Sequence, residues 1–305
     1  MKVEQSSMLQ VNKSRKRKKH QEYFIAYLFL VPAIVLFITF FYLPSFAGIY
    51  YSFTEYDIFS SPNWIGLDNY VRMFHDPVFI QGLENSLKYF IIMVPSLVVL
   101  PLFIAILVNN QLRGITLFRL VYYLPVVTPM VAVSIGWIFI YNRAGILNSV
   151  LNMIGFNIEI DWLNTLQTSL PAVAAVEVWK MAGYFMIIYL AGLQAVQKNL
   201  VEAAKIDGAN SLRVLWHIYI PQLRPIIAIT LVFSTLLTIR SFTSIFVMTG
   251  GGPLNSTLSI PLYIYQKAFV EMEMGYASAM GMVLWVILII LTFFNLKFSR
   301  GWNSQ

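Results

Sequence analysis

The chain has 305 residues, of which 58% are hydrophobic and 11% charged, with a net charge of +7 and a mean hydropathy of +0.68. Soluble domains hold roughly 45–50% apolar and about 25% charged residues, so the apolar surplus must face lipid, and soluble, disordered and coiled-coil classes are excluded. The absence of cysteine removes disulfides, thiol catalysis and Cys-ligated metals, and the histidines His20, His75 and His217 share no metal-ligand spacing, so neither a metal site nor a catalytic residue is expected.

Residues 1–22 form a basic tail whose run Arg15-Lys16-Arg17-Lys18-Lys19 sits directly before an apolar stretch. In that place it anchors topology or touches anionic membrane lipid, and a nucleic-acid partner is not expected. A spanning helix needs about 20 apolar residues. The runs 23–54, 89–112, 120–142, 169–196, 225–248 and 274–296 meet that length, predicting an all-α integral membrane protein with six transmembrane helices. The first run exceeds a signal-peptide core and is expected to be retained, bent at Pro32 and Pro44.

Residues 23–84 read as this helix with an external loop, in which the turn Ser61-Pro62-Asn63 precedes an interfacial Trp64. Residues 85–296 read as the core, and 297–305 as a second tail. Within the core, 144–156 has the periodicity of a short helix lying on the membrane surface. The fourth span holds Glu177 and Lys180, three residues apart on one helical face, where they are expected to neutralise each other. Arg240 in the fifth lies 15 residues past Pro225. At 1.5 Å per residue that is roughly 20 Å up the span, in its outer half.

Segments 1–22, 111–119, 197–224 and 297–305 carry 15 of the 21 Lys and Arg residues. The positive-inside rule places them, and with them both termini, in the cytoplasm. The 197–224 loop is neither flexible nor low in complexity. Asn199 and Glu202 are spaced as a capping box for a short helix, Asp207-Gly208 ends it, and Asn210 or Ser211 can cap a second helix bearing Leu212, Leu215, Trp216 and Tyr219. Pro221 and Pro225 are expected to redirect the chain into the fifth span. The apolar edge of this helix pair has no lipid to enter. It either packs on the protein's own helices or docks into a soluble partner.

Glu202-Ala203-Ala204, Gly208 and, nine residues on, Ile218-Tyr219-Ile220-Pro221 resemble the EAA motif of permease subunits in binding-protein-dependent ABC importers, with Ile220 in place of leucine. Gly250-Gly251-Gly252-Pro253, Trp179-Lys180 and Ala191-Gly192-Leu193 are similar to the carbohydrate subgroup typified by the maltose importer's first permease. Phe242-Thr243 stands where many members carry Phe-Asp.

The resemblance implies the type I ABC importer permease fold in a bacterial or archaeal cytoplasmic membrane. It implies a heterodimer with a second six-helix permease, two copies of a cytoplasmic ABC ATPase, and an extracytoplasmic sugar-binding protein. The chain itself would be no enzyme and hold no cofactor, since ATP and Mg belong to the ATPase; it contains no Gly-Lys pair and hence no P-loop. By analogy Glu202, Ala203, Ala204, Asp207, Gly208, Ala209, Leu212, Leu215, Ile218 and Pro221 form the element that couples to the ATPase. Glu177, Trp179, Lys180, Tyr184, Arg240 and Phe242 either brace the bundle or line a sugar path, with Gly250 to Pro253 as an external loop. Alternatives are a glycerol-phosphate or polyol ABC permease and, from another class, an ion-coupled secondary transporter.

Overall fold

The computed structural model describes residues 23, 27–109 and 115–303. The basic tail 1–22, residues 24–26, residues 110–114, which take in the start of the basic 111–119 turn, and 304–305 lie outside the described residues. Helix α1 (Tyr27–Ser52) runs through Pro44. One π-helical turn, Ile38–Tyr42, immediately precedes that proline, and the Leu43 N–H reaches back to the Ile38 carbonyl. The wider turn lets the helix carry a residue that cannot donate.

A two-residue ribbon follows, β1 (Thr54–Glu55) antiparallel to β2 (Asn63–Trp64), then a short surface helix α2 (Asp68–His75). Asn69 is buried, its amide donating to the carbonyls of Ser52 and Thr54 at 3.1 and 2.9 Å, which ties the loop to the end of α1.

Helix α3 (Pro77–Val108) begins a dozen residues before the expected 89–112 span. Asp76 caps it, accepting from the N–H groups of Val78 and Phe79 at 2.9 and 3.3 Å, with Pro77 in the first turn. The charge-free criterion missed this extension because Glu84 and Lys88 lie in it, an exposed i, i+4 pair 3.7 Å apart.

The expected third span is two helices, α4 (Ile115–Val127) and α5 (Met130–Tyr141), bent by 102°. Thr128 precedes Pro129, which disfavours helical geometry there, and Pro129 has no N–H to offer the preceding turn. Surface helix α6 (Ile146–Met153) follows as the periodicity predicts. The long helix α7 (Ser169–Ala195) then buries most of one face against α3. With α1, α3, α7 and two helices described next, five helices among the described residues are long and apolar enough to span, and the bent pair makes a sixth crossing if taken as one.

After the short helix α8 (Lys198–Ile206), the chain forms one continuous helix α9 (Ser211–Ile239). This corrects the expected redirection at Pro221 and Pro225. A second π turn, Leu215–Tyr219, again stands just before a proline, with the Ile220 N–H bonded to the Leu215 carbonyl, and the helix passes through both prolines. Helix α9 then stops at Ile239, so Arg240 caps its end rather than lying inside a 225–248 span. Short helices α10 (Thr243–Met248) and α11 (Ile260–Tyr265) lead to the last helix, α12 (Met274–Asn303).

The core lies between α3, α7, α10, α11 and the first turns of α12, with a second apolar cluster nearer the other end around Tyr189, Leu193 and Leu223. A polar seam, Thr230, Ser234, Thr235 and Thr238, is buried along α9, where Asn295 donates to Thr235 at 2.9 Å. Such hydrogen bonds hold helices together where lipid supplies no hydrophobic force.

Candidate functional site

The first site is the α8–α9 element. Gln197, not Asn199, occupies the N-cap of α8 and makes no side-chain cap bond, so the expected Asn199–Glu202 capping box does not form. The helix starts two residues earlier than that motif requires. Its other end closes as expected. Gly208 has φ +80°, its N–H bonds the Lys205 carbonyl at 3.1 Å, and the Ala209 N–H reaches the Ala204 carbonyl at 2.9 Å. This is the Schellman closure of a helix, and it depends on a residue that adopts positive φ. Asn210 then caps α9, its side chain accepting from the Arg213 N–H at 2.9 Å.

No residue of α8 is buried. Ile206, Leu212 and Trp216 are 86%, 66% and 62% exposed, Leu215 and Ile218 are half-buried, and Glu202, Ala203, Asp207 and Gly208 lie on the surface. Ala204, Ala209 and Pro221 are half-buried beside them. The expected element is therefore assembled with its apolar edge outward, and self-packing does not account for it.

The second site surrounds the α9–α10 break at the other end of the bundle. Glu177 accepts from Ser241 Oγ at 2.5 Å and from Ser244 Oγ, both at Oε1, and the buried Tyr89 hydroxyl faces the same carboxylate. Lys180 does not pair with Glu177, contrary to the i, i+3 expectation. Its Nζ donates to the Val126 carbonyl at 3.0 Å. The bend at Thr128 and Pro129 ends α4 and orphans that carbonyl, and a buried ammonium at a helix C-terminus is well matched to it.

Arg240 is exposed and forms no ion pair within 4 Å among the described residues. The three charges thus do not brace one another. Flat rings gather beside them. Phe242 stacks on Phe246 at 5.2 Å, both meet Tyr265 at 5.3 and 5.4 Å, and Trp179 lies edge-on to Trp137 at 5.4 Å. Tyr184, over a third exposed, sits about two turns from Glu177 against Phe185.

Sequence reasoning missed Ser241, Ser244 and Tyr89 because they meet Glu177 only across a helix break that apolar run length conceals. The Gly250 to Pro253 loop is pinned rather than free. Gly250 and Gly251 have φ +60° and +96°, Thr257 Oγ1 donates to the Gly252 carbonyl at 2.9 Å, and Asn85 on α3 donates to the Asn255 and Leu258 carbonyls at 2.6 and 3.2 Å.

A family model described as "Binding-protein-dependent transport system inner membrane component" matches residues 80–303, which includes both sites. The chain belongs to that family. As a permease it is 37% identical over 296 residues to the probable ABC transporter permease protein YesP of Bacillus subtilis, covering 96% of this chain and 95% of the relative. It is 35% identical over 280 residues to the lactose transport system permease protein LacF of Rhizobium radiobacter, covering 90% and 93%. The crystal structure of a bacterial ABC transporter involved in the import of the acidic polysaccharide alginate superposes with a TM-score of 0.81 at 26% identity, over 94% of the permease and 98% of that chain. Membership sets aside an ion-coupled secondary transporter.

Proposed function

We propose that this permease forms, with a second six-helix permease, the path for a sugar or oligosaccharide handed over by an extracytoplasmic binding protein, and that two copies of a cytoplasmic ATPase dock on α8 and the start of α9. The observation that carries the substrate class is the α9–α10 break. It sets a carboxylate with one oxygen outside the serine bonds, and an exposed guanidinium, beside aromatic faces. Sugars present hydroxyls around apolar ring faces and need this mixture of acceptors, donors and flat surfaces. The names of related lactose and oligosaccharide permeases support the same class. A glycerol-phosphate or polyol substrate is the weaker reading, since Arg240 is a lone exposed cation in this region.

ATP and Mg belong to the ATPase, whose closure would push α8 and bias the bundle between its openings. In this arrangement the 197–224 loop and both termini face the cytoplasm of a bacterial or archaeal cell, a sidedness that reporters fused after Glu22 and within 197–224 measure directly. The pathway test is uptake by the reconstituted transporter with its binding protein. Glu177→Gln and Phe242→Ala are expected to lower uptake about tenfold or more, or to shift preference across a sugar panel, with thermal stability largely kept. Equal loss of folding and uptake in both variants would assign these residues to bracing alone.

A further inference from the structure

A cavity of about 550 Å³ lies behind the coupling helix, lined by Arg119, Lys198, Lys205, Glu202, Asn109 and Tyr219 among others. It holds three cations against one acid. Among the described residues none of the three is within 4 Å of a carboxylate, and the buried Arg119 Nε has no hydrogen-bond partner. A buried guanidinium N–H with no acceptor is costly, so it marks a place where an anion belongs. A second cavity of about 340 Å³ shares Asn109, Leu193, Val201, Lys205 and Tyr219 with the first and continues along Ile106, Leu212, Val214 and Leu215. One end is therefore cationic and the other apolar.

We propose that this cavity binds a phosphate group, held by Arg119, Lys198 and Lys205, and that its occupancy sets how α8 is seated on the bundle. A planar guanidinium and two ammonium groups match the oxygens of a phosphate, and the acid Glu202 leaves a residual charge suited to a mono- or diester. Such a group comes either from an anionic phospholipid, with its glycerol end along the apolar extension, or from a soluble phosphate ester of the cytosol. Because α8 carries the ATPase-docking edge, a bound phosphate would couple membrane or cytosolic composition to transport. This last consequence rests on the coupling role proposed above, and a cytosolic source on the orientation proposed there; the binding itself rests on neither.

The test uses the assembled transporter in neutral detergent, titrated by calorimetry with dioctanoyl-phosphatidylglycerol, glucose 6-phosphate or inorganic phosphate. At least one probe should bind saturably, one per chain, and Arg119→Gln with Lys205→Gln should weaken it about tenfold or more. Lys297→Gln, which removes an exposed cation outside the cavity, should leave binding unchanged. Arg119→Lys, the milder change, should give an intermediate loss and serves if the double variant does not assemble. Binding of the lipid alone assigns the headgroup as the source, and binding of either soluble probe assigns a cytosolic phosphate. No binding by any probe, an undiminished affinity in both Arg119 variants, or an equal loss in Lys297→Gln overturns the site.

Discussion

At the Asp76 end of the bundle, the outer end in the orientation proposed above, the Asp76 carboxylate collects the hydroxyls of Tyr263 and Tyr276 at 2.6 and 2.8 Å, and Arg72 pairs with Glu273 at 2.8 Å, so that α2, α3, α11 and α12 are joined through one acid and its neighbours. At the α8 end, the inner end in that proposed orientation, no residue of α8 is fully buried, and Ile206 with Leu212 and Trp216 of α9 turns outward. These polar groups of the outer end find their partners within one chain. The inner end presents apolar surface that no described residue of this chain covers, as the ATPase docking proposed above requires.

The comparison is broken most forcefully at Gly275. A Cβ there would stand 2.1 Å from the Thr54 carbonyl oxygen, because the first turn of α12 lies directly on β1, where the Gly275 N–H donates to the Tyr56 carbonyl at 3.0 Å. Gly275→Ala should therefore push α12 off the outer ribbon at a cost of about 1–3 kcal/mol, read as lower yield and a lower thermal midpoint of the purified permease pair. Unchanged stability would show that the outer end is looser than its hydrogen bonds suggest.

Gly208→Val is the matching change at the α8 end, where the strain stays local and the main effect is on coupling. A Cβ at Gly208 meets nothing within 4 Å, so the only penalty is the strain of positive φ, about 1–3 kcal/mol confined to the helix stop. The variant should insert and pair normally yet copurify less ATPase and lose substrate-stimulated ATP turnover. Gly208→Asn, which tolerates that backbone, should retain most of both. Normal copurification and turnover in Gly208→Val would remove the α8 turn from force transmission.

These two positions also show what was legible beforehand. Asp207-Gly208 and Asn210 follow local rules for ending and starting helices, so the inner turn could be read directly, and six apolar runs gave the membrane architecture. The misreadings share a cause, because each needed a partner distant in sequence or a register change. Lys180 reaches Val126 only because the chain bends at Pro129, and Glu177 finds Ser241 and Ser244 only because α9 stops at Ile239. Pro221 and Pro225 predict a redirection of the chain, but a π turn upstream of Pro221 lets the helix continue through both. Asn199 and Glu202 had the spacing of a capping box, yet α8 begins at Lys198.

The smallest expected effect concerns pH at the outer end. Burial by itself would raise the Asp76 carboxyl, but hydrogen bonds from Tyr263 and Tyr276 and from the N–H groups of Val78 and Phe79 outweigh it and hold the group below the ordinary carboxylate value of 3.8. An acid whose folded value is depressed contributes stability that is fully present above its unfolded value, near pH 4, and is lost as pH falls through the folded value. The thermal midpoint of the permease should thus be flat through neutral pH as far as Asp76 is concerned and decline below about pH 4. Asp76→Asn should lower the midpoint at pH 7, since a neutral amide accepts more weakly from two tyrosines and the helix start, and should flatten the acid decline. The contrast between the ends sharpens if Glu202→Gln, on the exposed inner helix, leaves the acid decline as it is in the parent chain. An acid decline equally steep in Asp76→Asn would mean that other carboxylates, and not the Asp76 network, set the acid limit of the outer end.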